Sequence, residues 1–203
     1  MSTRTASRNP PAALAVAARR PYLTVAVFAV TLACGIAQLA DGGLYDHVVR
    51  DAARIDAGEW YRLVTGMFFQ DGQVFGLVSN LIWLAVFGTV AERVFGRARW
   101  LVLYFGCGLF GQFTSYVWLN PVGAGNSMCV AGLIGALAAV VMVASRRYGV
   151  VLPVQFRVLA YAVPVLAVVD TLVHDNHGLP ALLGLALGFL LLPRRPVVSV
   201  EQG

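Results

Sequence analysis

The stretch Gly123–Ala144, GAGNSMCVAGLIGALAAVVMVA, decides how this chain is read. A glycine-rich turn runs into an uncharged apolar segment, Met128 to Ala144, and Ser127 stands at the junction. A helix over that segment is of membrane-spanning length. Ser127 then opens the helix, where backbone N–H groups lack intrahelical partners and the helix dipole is positive. For a lone serine at a helix start the ordinary reading is an N-cap, and only a partner residue turns it into a hydroxyl nucleophile whose neighbouring N–H groups receive an oxyanion. Ser127, Ala131 and Gly135 follow one another at i, i+4 and i+8, a small-residue face along which a second helix can approach closely.

Five more apolar runs flank this one: Leu23–Ala40, Val74–Ala91, Trp100–Leu119, Val158–Val173 and Gly178–Leu192. The longer runs span a hydrocarbon core of roughly 30 Å, while the last two need snorkelling ends, local thinning or shelter among neighbours. With 59% hydrophobic and 12% charged residues, the chain is expected to be an all-α, polytopic membrane protein of six transmembrane helices. Residues 1–21 are expected as a cytoplasmic tail, 22–193 as the membrane domain and 194–203 as a second cytoplasmic tail.

Charge orients the bundle. Arg4, Arg8, Arg19 and Arg20 precede the first run, Arg93, Arg97 and Arg99 follow the second, and Arg146 with Arg147 follows the fourth. Arg194 and Arg195 follow the sixth, so the positive-inside rule puts both termini in the cytoplasm of a cell-membrane protein. Eight of the ten acids fall in the opposite segments, in agreement with an even number of spans. All fifteen basic residues are arginine, which reads as codon bias in a GC-rich genome. They are divided among several segments, so nucleic acid is not an expected partner. Cys34, Cys107 and Cys129 lie in apolar runs without paired spacing and read as small buried hydrophobes. The Asp41–Gln73 segment is too long for a plain hairpin, and its amphipathic, aromatic half from Trp60 to Phe69 is expected to lie partly in the membrane.

Two further residues join Ser127. His177 precedes the sixth run on the same face of the membrane, and an ionisable side chain at that depth is a functional candidate. His177, Ala181, Gly184 and Gly188 share a helix face, so a second small-residue seam lies below the histidine as one lies below the serine. Such seams allow the approach that a Ser–His hydrogen bond requires, and they also serve ordinary glycine-mediated packing. Asn80 sits roughly 9 Å inside the second run, where its amide either donates to an oxyanion or bonds across helices together with Ser79.

Other assignments are weaker. Cys129 is turned about 200° from Ser127 around the helix. His174 lacks a glycine seven residues on. Asp170, His174, Asp175 and His177 straddle a helix end without the spacing that places two metal ligands on one helical face, so neither a metal nor another cofactor is expected.

From Glu59 to Leu192 the residues resemble the rhomboid family of intramembrane serine proteases. Gly58-Glu59-Trp60-Tyr61-Arg62-Leu63-Val64-Thr65 is similar to that family's Trp-Arg loop, with Tyr61 where Trp is usual. Gly88-Thr89-Val90-Ala91-Glu92 with the later Gly96 is similar to its Gly-x-x-x-Glu segment. Gly125-Asn126-Ser127 is similar to its Gly-x-Ser nucleophile segment, and His177 with Gly184 has the spacing of its catalytic histidine. The resemblance implies a rhomboid-like bundle, Ser127 as nucleophile, His177 as general base and Asn80 as oxyanion donor. It also implies transmembrane protein substrates that enter through a lateral or top gate. Since the family works with two residues, Asp175 is not expected as a third.

Four further positions depart from the family pattern. Gly76 replaces a histidine that would donate to the oxyanion, and Met128 replaces a glycine, with crowding expected beside the nucleophile. Ala131 stands where an aromatic stacks on the histidine, and Pro180 where a glycine lets the fourth and sixth helices close. An altered shell of this kind fits a divergent endopeptidase, and it also fits a weak or inactive relative that binds transmembrane clients.

Overall fold

The structure, a computed structural model, describes residues 20–193. Most of the two expected tails, including Arg194 and Arg195, lies outside these residues. In chain order the helices are α1 (Tyr22–Ala40), three short ones, α2 (Leu44–Val48), α3 (Ala52–Asp56) and α4 (Arg62–Thr65), and then α5 (Gln73–Trp83). A π-helical turn, Leu84–Gly88, carries α5 into α6 (Thr89–Phe95) as one rod. Next come α7 (Arg97–Thr114), α8 (Ser127–Tyr148), α9 (Val154–Leu172) and α10 (Gly178–Leu190). Two residue pairs, β1 (Arg50–Asp51) and β2 (Val122–Gly123), form a short antiparallel ladder. Among the described residues the fold is all-α with this one exception.

Four of the helical rods are long and apolar enough to cross a membrane: Tyr22–Ala40, Gln73–Phe95, Ser127–Tyr148 and Val154–Leu172. The fifth expected run therefore starts earlier than its apolar boundary, at Val154, because Arg157 is accommodated inside the helix and Pro153 supplies the entry turn. α7 begins with Arg97 and Arg99 and buries Gln112. α10 has only 13 residues, about 20 Å of helix. Its shelter is α8, and the two meet backbone to backbone. A Cβ on Gly184 would overlap the Gly132 carbonyl, and one on Gly135 would overlap the Ala181 carbonyl. One on Gly188 would stand 2.7 Å from the Ala136 Cα. Both small-residue faces expected from the sequence thus form a single seam.

α8 is the central post. Two-thirds of its apolar window (67%) is buried, against 11% for α9, which lies at the rim. On its other side α8 interlocks with α7: the Cys107 side chain fills the space over Gly132, while Cys129 and Met67 fill that over Gly108. Both cysteines are buried and serve as small apolar groups. Trp100 and Tyr104 stack with ring centroids 4.7 Å apart and complete this core with Leu103, Leu133 and Leu84.

At the end of the bundle away from Ser127, Glu92 explains its own motif. Its carboxylate accepts from the backbone N–H groups of Leu23 (3.1 Å) and Thr24 (2.8 Å), and from the Thr24 hydroxyl (2.8 Å), so it caps α1 from another helix. Gly88, four residues earlier, leaves the space that Thr24 fills, and its carbonyl accepts from Trp100 Nε1 at 3.0 Å.

At the opposite end the Asp41–Gly72 segment folds around two buried arginines. Arg62 Nη1 donates to the carbonyls of Asp46 and Val49, each at 2.9 Å, and Nε donates to Glu59 at 2.7 Å. Arg50, fully buried, donates to the Asn120 carbonyl (3.1 Å) and to the Gln112 side chain. Burial lowers the Arg50 pKa to about 10 against the opposing pull of Asp71, so the guanidinium stays charged at neutral pH.

Two outcomes follow from this packing. Gly135→Val should lower stability by about 1–3 kcal/mol or more, because backbone cannot yield to the new methyl groups. Gly106→Ala, which faces open space, should leave the thermal midpoint of the detergent-solubilised protein unchanged or raised. The second outcome concerns pH. Hydrogen bonds from Arg62 and then Tyr61 hold the Glu59 carboxyl below its usual range, so its contribution is present above the ordinary carboxylate pKa and lost as pH falls through the depressed value. Protection of the amides of residues 59–65, taken as observed exchange relative to the intrinsic rate at each pH, should fall on acidification, and Glu59→Gln should remove that fall.

Candidate active site

Ser127 is the first residue of α8 and His177 the last before α10. His177 Nε2 lies 2.8 Å from Ser127 Oγ, a hydrogen bond between residues fifty positions apart. The α8–α10 seam sets this distance, since two short side chains meet only if their backbones are nearly in contact. The histidine is held from a second direction as well: a Cβ on Gly178 would overlap the Ala167 carbonyl and the Thr171 hydroxyl, so the start of α10 is pressed against α9.

The turn that delivers Ser127 is tied to the loop between α1 and α5. Gly125 N–H donates to the Gly66 carbonyl (2.7 Å), Asp71 N–H to the Ala124 carbonyl (3.2 Å) and Ala124 N–H to the Asp71 carboxylate (2.9 Å). Gly125 has φ 147°, a conformation that L side chains rarely adopt. Its Cα faces the site: a Cβ there would meet both Ser127 Oγ and Asn80 Nδ2 at 3.4 Å, with Gln70 Oε1 at 3.6 Å. Asn80 is therefore close to the serine. One of its amide hydrogens goes to Gln70 Oε1 at 2.5 Å, which leaves the second for another acceptor.

Gln70 was not among the residues singled out in the sequence. It is buried, and Gln38 of α1 fixes its backbone by a reciprocal pair, Gln38 Nε2 to the Gln70 carbonyl (2.8 Å) and Gln70 N–H to Gln38 Oε1 (2.9 Å). No local pattern marks such a residue, because its partners come from α1 and α5.

The departures are resolved by packing. Met128 points away from the serine toward α7, where its sulfur would lie 2.8 Å from a Cβ on Gly111, and Ser115 Oγ approaches that sulfur at 3.7 Å. Pro180 fills the same slot from α10, with Cγ 2.6 Å from that Cβ position. Both side chains thus occupy room left by Gly111, so the expected crowding at the nucleophile does not occur, and α8 and α10 close with Pro180 in the place of a glycine. Ala131 lines the cavity described next.

Beside the Ser–His pair lies a cavity of about 450 Å³. Asn80 and Trp83 of α5 bound one side, and Val163, Leu166 and Asp170 of α9 the other, with Val130, Ala131 and Ile134 of α8 as its floor. Cys129 is fully buried and does not line it. His174, in a left-handed conformation at φ 62°, has its ring against Trp118 at 5.7 Å. Asp175, not expected as a third member of the site, is bonded to His177: its Oδ1 lies 2.6 Å from Nδ1 and accepts the backbone N–H at 2.9 Å.

Gly76 is also explained. A Cβ there would overlap the Asp71 carbonyl oxygen, because the left-handed Gly72 folds the loop back onto the first turn of α5. Gly76→His should therefore destabilise the protein, by about 1–3 kcal/mol on the scale of an overpacked site. A thermal midpoint equal to that of the unsubstituted protein would contradict this.

Comparison with known proteins agrees with the geometry. A family profile for the rhomboid domain matches residues 57–194, more than half of the chain. The chain is similar to the rhomboid-type protein YdcA of Bacillus subtilis (strain 168), 31% identical over 137 residues that make up 66% of each chain. It is also similar to rhomboid protease GluP of the same organism, 34% identical over 88 residues, which are 43% of this chain but 17% of that one. The matched stretch is thus just under two-thirds of the first relative and under a fifth of the second. The chain belongs to the rhomboid family.

Proposed function

We propose that this protein is an intramembrane serine endopeptidase that cleaves transmembrane or juxtamembrane segments of other membrane proteins. The observation that carries the reading is the 2.8 Å hydrogen bond between Ser127 Oγ and His177 Nε2 beside a largely apolar cavity. Residues 22–193 form the membrane domain in this reading, with both termini cytoplasmic in the cell membrane and the site near the opposite face.

His177 Nε2 takes the Ser127 proton as Oγ attacks a carbonyl carbon of an unwound substrate segment. The oxyanion of the tetrahedral intermediate is received by the free Asn80 Nδ2 hydrogen and by N–H groups at the start of α8. On collapse the C–N bond breaks, and the imidazolium gives its proton to the departing amine. Water then attacks the acyl-enzyme with the same imidazole as base, which releases the second product and restores Ser127. The gap between α5 and α9 suits entry of a substrate helix, since α9 is the least buried of the spans and carries Pro164 within it.

Purified protein should be labelled by a fluorophosphonate and should cleave a transmembrane peptide. Ser127→Ala should abolish both activities. His177→Ala should lower turnover by several orders of magnitude, and Asn80→Ala by about 10²–10³-fold. Labelling that survives Ser127→Ala would overturn the assignment, as would a peptide left intact by a well-folded protein.

A further inference from the structure

We propose that Asp175 is a positioning residue for His177, so that a Ser–His–Asp arrangement operates on a scaffold expected to work with two residues; the proposal rests on the proteolytic reading above. Both ring nitrogens of His177 are engaged, Nε2 with Ser127 Oγ at 2.8 Å and Nδ1 with Asp175 Oδ1 at 2.6 Å. A carboxylate is acceptor only, so the Nδ1 partner carries the hydrogen. The neutral ring then has its lone pair on Nε2, the form that can accept the serine proton. A free imidazole shares its hydrogen between both nitrogens, and one of those tautomers cannot act as base toward Ser127. Once the ring is protonated, the same carboxylate lies against the positive charge.

The turn that presents Asp175 is fixed at both ends. His174 N–H donates to the Thr171 carbonyl (3.1 Å) and Asp175 N–H to the Asp170 carbonyl (2.8 Å), with His174 in its left-handed conformation between them. At the other end Gly178 is pressed against α9. A non-glycine residue at φ 62° is uncommon and is kept where the surroundings determine it. The competing role for Asp175 is to cap its own turn, since the same Oδ1 accepts the His177 backbone N–H at 2.9 Å.

Two substitutions separate these roles. Asp175→Asn and Asp175→Ser both retain an oxygen that can accept the backbone N–H, but the first has no charge and the second does not reach the ring. The Asp175 side chain is 45% exposed, so the loss expected is roughly 10- to 100-fold in kcat, below the roughly 10⁴-fold seen for a buried triad carboxylate. KM and the thermal midpoint should be unchanged. Turnover equal to wild type in both variants would reduce Asp175 to a turn cap and overturn the proposal. A second readout needs no turnover: in ¹⁵N-histidine-labelled protein the His177 ring should carry its hydrogen on Nδ1 and lose that preference in Asp175→Ser, with the His47 and His174 signals unmoved. A ring protonated on Nε2 in the unsubstituted protein, or a tautomer unaffected by Asp175→Ser, would also overturn it. Wild-type protein that cleaves nothing would sink the proteolytic reading and leave Asp175 to be judged by the spectrum.

Discussion

The close approach of α8 and α10 is the constraint on which the rest of this molecule depends. Gly135 on one helix, and Gly184 and Gly188 on the other, leave the backbones in contact where any Cβ would overlap. Dispersion between lipid-facing helices gains little over contact with acyl chains, so a small-residue seam of this kind is what holds such helices together. It serves the site as well. Ser127 and His177 head the two helices, and a seam wider by the width of a methyl group would leave their side chains out of hydrogen-bond reach.

A second set of constraints comes from the loop between α1 and α5, which reaches the turn before Ser127 through Gly66, Asp71 and Arg50. Arg50 is the costliest group in it, a charge fully removed from water. Its hydrogen bonds to Asn120 and Gln112 and its proximity to Asp71 offset that cost, and they also fix the register between the loop and the end of α7. Gln70 extends the same loop to Asn80, so the candidate oxyanion amide is held from α1 through Gln38 as well as by its own helix. Side chains separated by ten to seventy positions thus act as a single support.

Three of the departures from the family pattern, Met128, Pro180 and Gly76, fall into two coupled groups. Met128 and Pro180 enlarge two helices at one level, and Gly111 provides the space for both. Gly76 gives up a side chain so that the Asp71–Gly72 turn can fold tightly, and Gln70, at the start of that turn, contributes an amide beside Asn80. Considered one at a time each change looks like damage to a site. Considered with its neighbour each is accommodated.

Much of this was legible in the amino-acid sequence. Apolar runs gave six helical rods because burial in lipid and backbone satisfaction allow little else, and the positions of Ser127, Asn80 and His177 followed from where those runs begin. The small-residue faces pointed to the α8–α10 contact for the same periodic reason. What tertiary structure alone decided are the relations that no local period encodes: the direction in which Met128 points, the burial of Arg50, the bridge from Gln38 through Gln70 to Asn80, and the carboxylate of Asp175 against His177. Each depends on which atoms of distant segments share one small volume, and that is set by the packing of whole helices rather than by the residues next along the chain.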